Sequence, residues 1–244
     1  MHIRTSGSGP VALLIHGWAS SGRIMEPLAL ALEDRFEVRV IDLPGHGAQG
    51  GRTDPSLDDL IAAAAAEVDA APAPPVVIGW AMGGLIALAL AGRRTLRGAV
   101  CIGTASGGPE LGPVFEKMAS RIGRDWPRYV RSSVDAIVGE RVSPEMHRAL
   151  CAMMEATSPR LARHTLIEVG RTDALPLAAA AGCPVLFAHG AEDAISPADV
   201  AQRLAAAAPE ATLRLYPDVG HAPFLEAREA FLADLDAFLE TLHG

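Results

Sequence analysis

The stretch that most constrains this chain runs from Pro75-Val76-Val77-Ile78 through Gly79-Trp80-Ala81-Met82-Gly83-Gly84 into Leu85-Ile86-Ala87-Leu88-Ala89-Leu90-Ala91. An apolar run suited to a buried strand ends in glycines, and a helical run begins at once. A strand that reverses so abruptly into a helix needs positions nearly free of side chain. Gly79 and Gly83 supply them, and Gly84 lets the new helix approach the sheet. In G-x-S-x-G strings a turn of this shape presents its central residue as a nucleophile. Here that residue is Ala81, which has no hydroxyl. Taken alone, the stretch is either an elbow without its nucleophile or only a tight turn.

The surrounding chain repeats the alternation of strand and helix. Val11-Ala12-Leu13-Leu14-Ile15 reads as a central strand leading into the polar loop His16-Gly17-Trp18-Ala19-Ser20-Ser21-Gly22, and a helix is expected from about Arg23 to Leu32. The strand Glu37-Val38-Arg39-Val40-Ile41 follows and runs into Asp42-Leu43-Pro44-Gly45-His46-Gly47. Ser56 with Asp59 predicts a capped helix to about Val68, and Gly98-Ala99-Val100-Cys101-Ile102 predicts a strand after the elbow helix. The pattern resumes with Pro184-Val185-Leu186-Phe187-Ala188, a helix from Pro197, the strand Thr212-Leu213-Arg214-Leu215-Tyr216, and a last helix from about Glu226 to Leu242. Such alternation implies an α/β fold with a mostly parallel central sheet and helices on both faces. Its glycine-rich loops leave the strands at one edge, where ligands of such sheets bind. From about Gly107 to Gly182 no strand-like run appears, and Pro109, Pro113, Pro127, Pro144, Pro159 and Pro176 punctuate helical periodicity. The expected organisation is therefore a core of residues 1–106 and 183–244 with a helical cap, 107–182, inserted into it.

Composition narrows the function. With 244 residues, half of them hydrophobic, the chain can bury a sizeable core. A formal charge of −8 argues against a nucleic-acid partner. Three widely spaced cysteines form no C-x-x-C pair, so metal and disulfide roles are not expected, and a reducing cytoplasm is the simplest location. Met1-His2-Ile3-Arg4-Thr5 lacks the pattern of a signal peptide, and no apolar segment reaches the ~18 residues of a spanning helix.

The expected chemistry lies at the strand ends. The strand ending at Ala188 leads to His189-Gly190-Ala191-Glu192-Asp193, and the next leads to Asp218-Val219-Gly220-His221. Elbow, acid, then histidine is the chain order of a Ser-Asp-His triad on such a sheet. Asp193 would hold one nitrogen of His221 and leave the other facing position 81. The plainer reading is that Asp193 caps the helix near Ser196-Pro197 and His221 is a loop histidine. Backbone N–H groups of Met82 and Trp18 are the expected oxyanion donors. His16 and His46 read as loop braces, Ser20, Ser21 and Ser106 as loop polarity, and His147, His164, His189 and His243 carry no assigned role.

These segments, from His16-Gly17-Trp18 to Gly220-His221-Ala222-Pro223-Phe224, together resemble an α/β-hydrolase. Within that superfamily, Gly-Trp-x-Met-Gly-Gly at the elbow and His-Ala-Pro-Phe at the base are similar to the BioH-like pimeloyl-ACP methyl ester carboxylesterases of biotin synthesis. The resemblance implies serine-esterase chemistry needing no cofactor or metal. It also implies an acyl slot walled by Trp18, Trp80, Met82 and the cap residues Ser133, Val134 and Ile137, beside Ala81 and His221. Ser133 stands where a bulky apolar residue is expected. Members of that group carry serine where this chain has Ala81. The completeness of everything around it favours a Ser→Ala replacement in a working enzyme. A natural hydrolase-like binding protein is the alternative, and a small-ester or lactone hydrolase of free metabolites is another.

Charge adds a partner to this expectation. Residues 105–181 hold ten Lys or Arg against nine Asp or Glu, net +1, so the rest of the chain carries −9 against a total of −8. Lys117, Arg121, Arg124, Arg128 and Arg131 recur at helical spacing. The resemblance implies that cap arginines grip acyl carrier protein, which is strongly acidic. Arg124, Arg128, Arg131 and Arg148 are the candidates, against the plainer reading of a solvated helix face.

Overall fold

The computed structural model describes residues 2–49, 54–123 and 125–242. Arg124 and His243 lie outside the described residues. The sheet has seven strands in the order β1 (His2–Ser6), β3 (Glu37–Asp42), β2 (Val11–Ile15), β4 (Val76–Trp80), β5 (Gly98–Ile102), β6 (Val185–Gly190), β7 (Ala211–Tyr216). Only β1 is antiparallel to its neighbour; all later pairings are parallel. Every residue of β2, β4, β5 and β6 is buried, which is why these segments read as unbroken Val, Ile, Leu and Ala runs. Ile15 lies opposite Gly79, and Trp80 opposite Ile102, so the loops after these strands emerge together.

Helices fill both faces. The segment at residues 22–32 divides into a 3₁₀ turn, Gly22–Met25, and α1 (Glu26–Leu32), rather than one continuous helix. Helix α2 (Leu57–Asp69) starts at the capping box foreseen for it: the Ser56 hydroxyl accepts from the Asp59 amide, and the Asp59 carboxylate accepts from the Ser56 amide. Helix α3 (Met82–Ala91) is buried along its whole length, consistent with a sequence lacking any polar side chain.

Between β5 and β6 the chain is helical: α4 (Gly108–Ala119), α5 (Trp126–Val138), α6 (Pro144–Glu155), α7 (Pro159–Arg171) and the short α8 (Leu175–Ala179). Asp125, Ser143 and Ser158 each cap the next helix by accepting a backbone N–H, and Pro127, Pro144 and Pro159 occupy the first turns. α5 packs against α6 and α4 against α7, while α8 turns back onto α3. The final elements are α9 (Ala198–Ala207), α10 (Pro223–Glu226) and α11 (Arg228–Thr241). The last helix thus begins two residues later than the periodicity predicts, because Ala227 leaves the helical region at φ −131° and ψ 49°. Strand β1 gave no sequence signal. It is an edge strand with no fully buried residue, so no hydrophobic alternation marks it.

Candidate active site

The turn after β4 is built by what its glycines leave out. A Cβ on Gly79 would stand 2.0 Å from the Gly83 carbonyl oxygen, and one on Gly83 would stand 2.3 Å from that of Ile15. Both contacts are to backbone, so nothing can swing aside. Gly83→Ala is accordingly expected to destabilise the fold by about 3 kcal/mol or more, read as a lower urea midpoint. The chain passes between them through Ala81 at φ 53° and ψ −111°, a conformation an L-residue holds only at a cost of about 1–3 kcal/mol. The Ala81 amide donates to the Ile102 carbonyl at 2.8 Å, which fixes the turn to the end of β5. Ala81 is the N-cap of α3, but its methyl can cap nothing.

Asp193 and His221 meet below this turn. The His221 Nδ1 lies 2.7 Å from Asp193 Oδ2, both side chains being almost wholly buried. The carboxylate therefore accepts a hydrogen bond from Nδ1–H, which fixes the proton on that nitrogen and leaves Nε2 free. The other oxygen, Oδ1, accepts the Ile195 and Ser196 amides at 2.8 and 2.9 Å. The plainer sequence reading of Asp193 is thus present as well: one oxygen closes a turn while the other holds the histidine. His189 Nε2 lies 3.2 Å from Oδ2 and 2.7 Å from the Ser196 carbonyl, so a histidine without an assigned role braces the acid. Burial pushes the Asp193 carboxyl up, but the His221 and His189 rings outweigh it and hold the group well below the usual carboxylate range.

The loop after β2 lies against the same turn. A Cβ on Gly17 would come within 3.3 Å of the Ala81 Cβ and 2.8 Å of the Trp80 ring. The Met82 amide, first in α3, has no intrahelical acceptor and sits at the positive end of the helix dipole. His16 donates from Nδ1 to the Gly17 carbonyl at 2.8 Å, and its Nε2 accepts the Leu43 amide at 3.1 Å. Burial and the neighbouring His46 push its pKa down to about 3, so it is a neutral brace at neutral pH. His46, in ring contact with it at 5.2 Å, is held by the Pro44 carbonyl.

Trp18, Trp80, Ala81, Met82, Ser133, Ile137 and His221 line one cavity of about 50 Å³, closed over by Phe115, Met118, Leu166 and Val169. That volume is room for one or two waters. Val134, expected in this wall, does not line it: one residue beyond Ser133 on α5, its side chain turns away and is fully buried. Phe115 and Met118 on α4, Leu166 and Val169 on α7, and Ile195 were not foreseen. Their i, i+3 spacing is that of any core-facing helix stripe. Ser20 donates to the Met153 sulfur and Ser106 accepts the Ala174 amide, and neither lines the cavity. A larger groove of about 860 Å³ lies elsewhere, along Arg4, Asp42, Met146 and Met153, and shares no lining residue with the smaller cavity. Among the described residues no His, Cys, Asp and Glu cluster is arranged to hold a metal ion.

The pattern for the alpha/beta hydrolase family matches residues 12–235. The chain belongs to that family. Among its relatives, the pimeloyl-[acyl-carrier protein] methyl ester esterase of Chromobacterium violaceum is 32% identical, covering 99% of this chain and 98% of the relative. Its counterpart in Nitrosomonas europaea is 28% identical over 97% and 98%. Of solved structures, a thermophilic esterase from Thermogutta terrifontis superposes with a TM-score of 0.85 at 25% identity, covering 100% and 94% of the two chains. The enol-lactonase of Burkholderia xenovorans shares the hydrolase fold, with a TM-score of 0.86 at 22% identity over 98% and 96%. The scaffold of this alpha/beta hydrolase is that of a serine carboxylesterase, with alanine at the turn.

Proposed function

We propose that this scaffold serves hydrolysis of the methyl ester of a pimeloyl chain carried on acyl carrier protein, and that Ala81 replaces the serine of a working form. The observation that carries the reading is the buried Asp193–His221 pair opening onto the same cavity as the strained Ala81 turn. The names of the relatives supply the substrate class. In the working form a hydroxyl at position 81 attacks the ester carbonyl and gives its proton to His221 Nε2. The Trp18 and Met82 amides hold the oxyanion, and His221 returns the proton to the departing methoxide, releasing methanol. Water, deprotonated by the same nitrogen, then frees the acid and restores the hydroxyl. As it stands the chain binds such esters and scarcely turns them over. Ala81 has no oxygen with which to begin.

In this reading α4 to α7 act as the cap over the acyl group, and the acidic carrier docks on their outer face. Lys117, Arg121, Arg128, Arg131, Arg148 and Arg163 are all exposed there. None of them has a carboxylate partner among the described residues, although Arg160 and Arg171 of α7 are ion-paired with Asp54 and Glu168. The break between α4 and α5 divides the basic stripe, so Lys117 and Arg128 stand on different helices.

A second reading, hydrolysis of small free esters or lactones, draws support from the 50 Å³ enclosure, which admits a long acyl chain only if cap helices move. Replacing Arg128, Arg131 and Arg148 together by alanine in an Ala81→Ser background separates the two. Activity on carrier-bound ester is expected to fall about tenfold or more and to lose its salt sensitivity, with short free esters unaffected. An equal loss on both substrates, or none on either, would remove the carrier from the account.

A further inference from the structure

The segment that carries His221 has its backbone donors taken up one by one. The Gly220 amide donates to Glu226 Oε2 at 2.7 Å, and the Ala222 amide donates to Glu226 Oε1 at 2.7 Å. Between them, the His221 amide donates to the Ile137 carbonyl of α5 at 2.9 Å. The His221 carbonyl accepts the Trp80 indole N–H at 3.0 Å. One carboxylate thus spans the residues on either side of the histidine with both oxygens. The Glu226 side chain is wholly buried, with Arg141 Nε at 3.7 Å as its counter-charge. Arg141, just beyond α5, also donates to the Asp218 carbonyl at 2.9 Å, where Asp218 holds a left-handed φ of 58°.

A buried carboxylate costs several kcal/mol in desolvation unless it is fully bonded and paired. Glu226 meets that condition only in the conformation that fixes residues 220–222. Burial keeps its pKa raised on balance, while the Ala222 and Gly220 amides, Arg141 and His221 oppose that shift and favour the ionised form. A neutral carboxyl would need its own proton donated somewhere, and both oxygens already accept N–H bonds. None of this serves to stop α10, a single turn that Ala227 ends without it.

We propose that Glu226, with Arg141, is a positioning residue for His221, clamping the base loop to α5 so that the ring stays in line with position 81. The inference rests on the reading of His221 as the base. It adds that the cap helices hold the base directly, through the Ile137 carbonyl and Arg141. Glu226→Gln keeps the shape but turns an N–H₂ group toward one of the two amides, so one clamp contact becomes a repulsion. A displaced base is costly, because a misplacement of about 1 Å can lower turnover about a hundredfold.

The test has one arm that needs no turnover. In the Ala81 chain, the low-field Nδ1 proton resonance of His221, assigned by its loss in His221→Gln, is expected to shift or broaden in Glu226→Gln. In an Ala81→Ser background, the same substitution is expected to lower kcat about tenfold to a hundredfold with KM within roughly twofold. A folded Glu226→Gln protein whose His221 resonance is unmoved overturns the proposal. If that variant does not fold, Arg141→Met decides by the same resonance: a shift supports the clamp and no shift refutes it. Should Ala81→Ser prove inert on every ester, the esterase reading falls while the resonance still reports on the clamp.

Discussion

Ala81→Ser is expected to turn a nearly inert chain into an esterase, raising turnover of a short aryl ester by on the order of 10⁶-fold. The substitution adds one oxygen to a residue whose backbone already stands in the turn, at φ 53° and ψ −111°. Nothing else has to be made. Asp193 is charged and paired with His221 Nδ1, which leaves the ring's other nitrogen free, and the Met82 amide lies at a helix start with no intrahelical acceptor. The hydroxyl enters a cavity of about 50 Å³ lined by apolar groups, Ser133 and His221, which keeps bulk water from competing for the proton. Release of the phenol, followed by absorbance at saturating ester, measures the gain. A variant that folds and yet stays inert on both aryl esters and carrier-bound methyl ester would show that the chain is a binding protein on a hydrolase frame.

Asp193→Asn in that same background is expected to remove about 10⁴-fold of the recovered turnover. The loss comes from the tautomer. The Asn Oδ1 can still accept the Ile195 and Ser196 amides, so the turn after β6 survives. Its N–H₂ group, facing His221 Nδ1, favours the ring with the proton on Nε2, which cannot accept one from the nucleophile. The imidazolium formed during attack also loses its counter-charge. Because Asp193 is held well below the ordinary carboxylate range, it stays ionised throughout any practical assay, and its protonation contributes nothing to a loss of activity on acidification. A decrease under about tenfold, with circular dichroism unchanged, would mean that Asp193 only closes its turn.

Much of the frame was legible because its strongest signals are steric and solvophobic. β2, β4, β5 and β6 are buried on both faces, so their sequences cannot hide. Gly79 and Gly83 meet backbone where a Cβ would go, and Asp193 and His221 follow successive strands of one parallel pair. What escaped reading was set by tertiary context. β1 exposes residues on both faces, so its pairing with β3 leaves no periodic trace. Val134 and Ser133 are neighbours on α5, and only the rotation of that helix decides that the serine lines the cavity. Glu226 looks in sequence like the first turn of a long helix. Its two bonds around His221 depend on Ala227 breaking that helix. The basic stripe was visible as spacing, but only the structure separates exposed cations without partners from those that are paired.

If His221 and the two backbone amides form a working site around position 81, a serine placed there reacts with a fluorophosphonate, and mass spectrometry maps the adduct to it. Stoichiometric phosphonylation of the introduced side chain is expected, abolished by adding His221→Ala and absent from the unsubstituted chain. No adduct at position 81, or labelling that persists without the histidine, would contradict such a site.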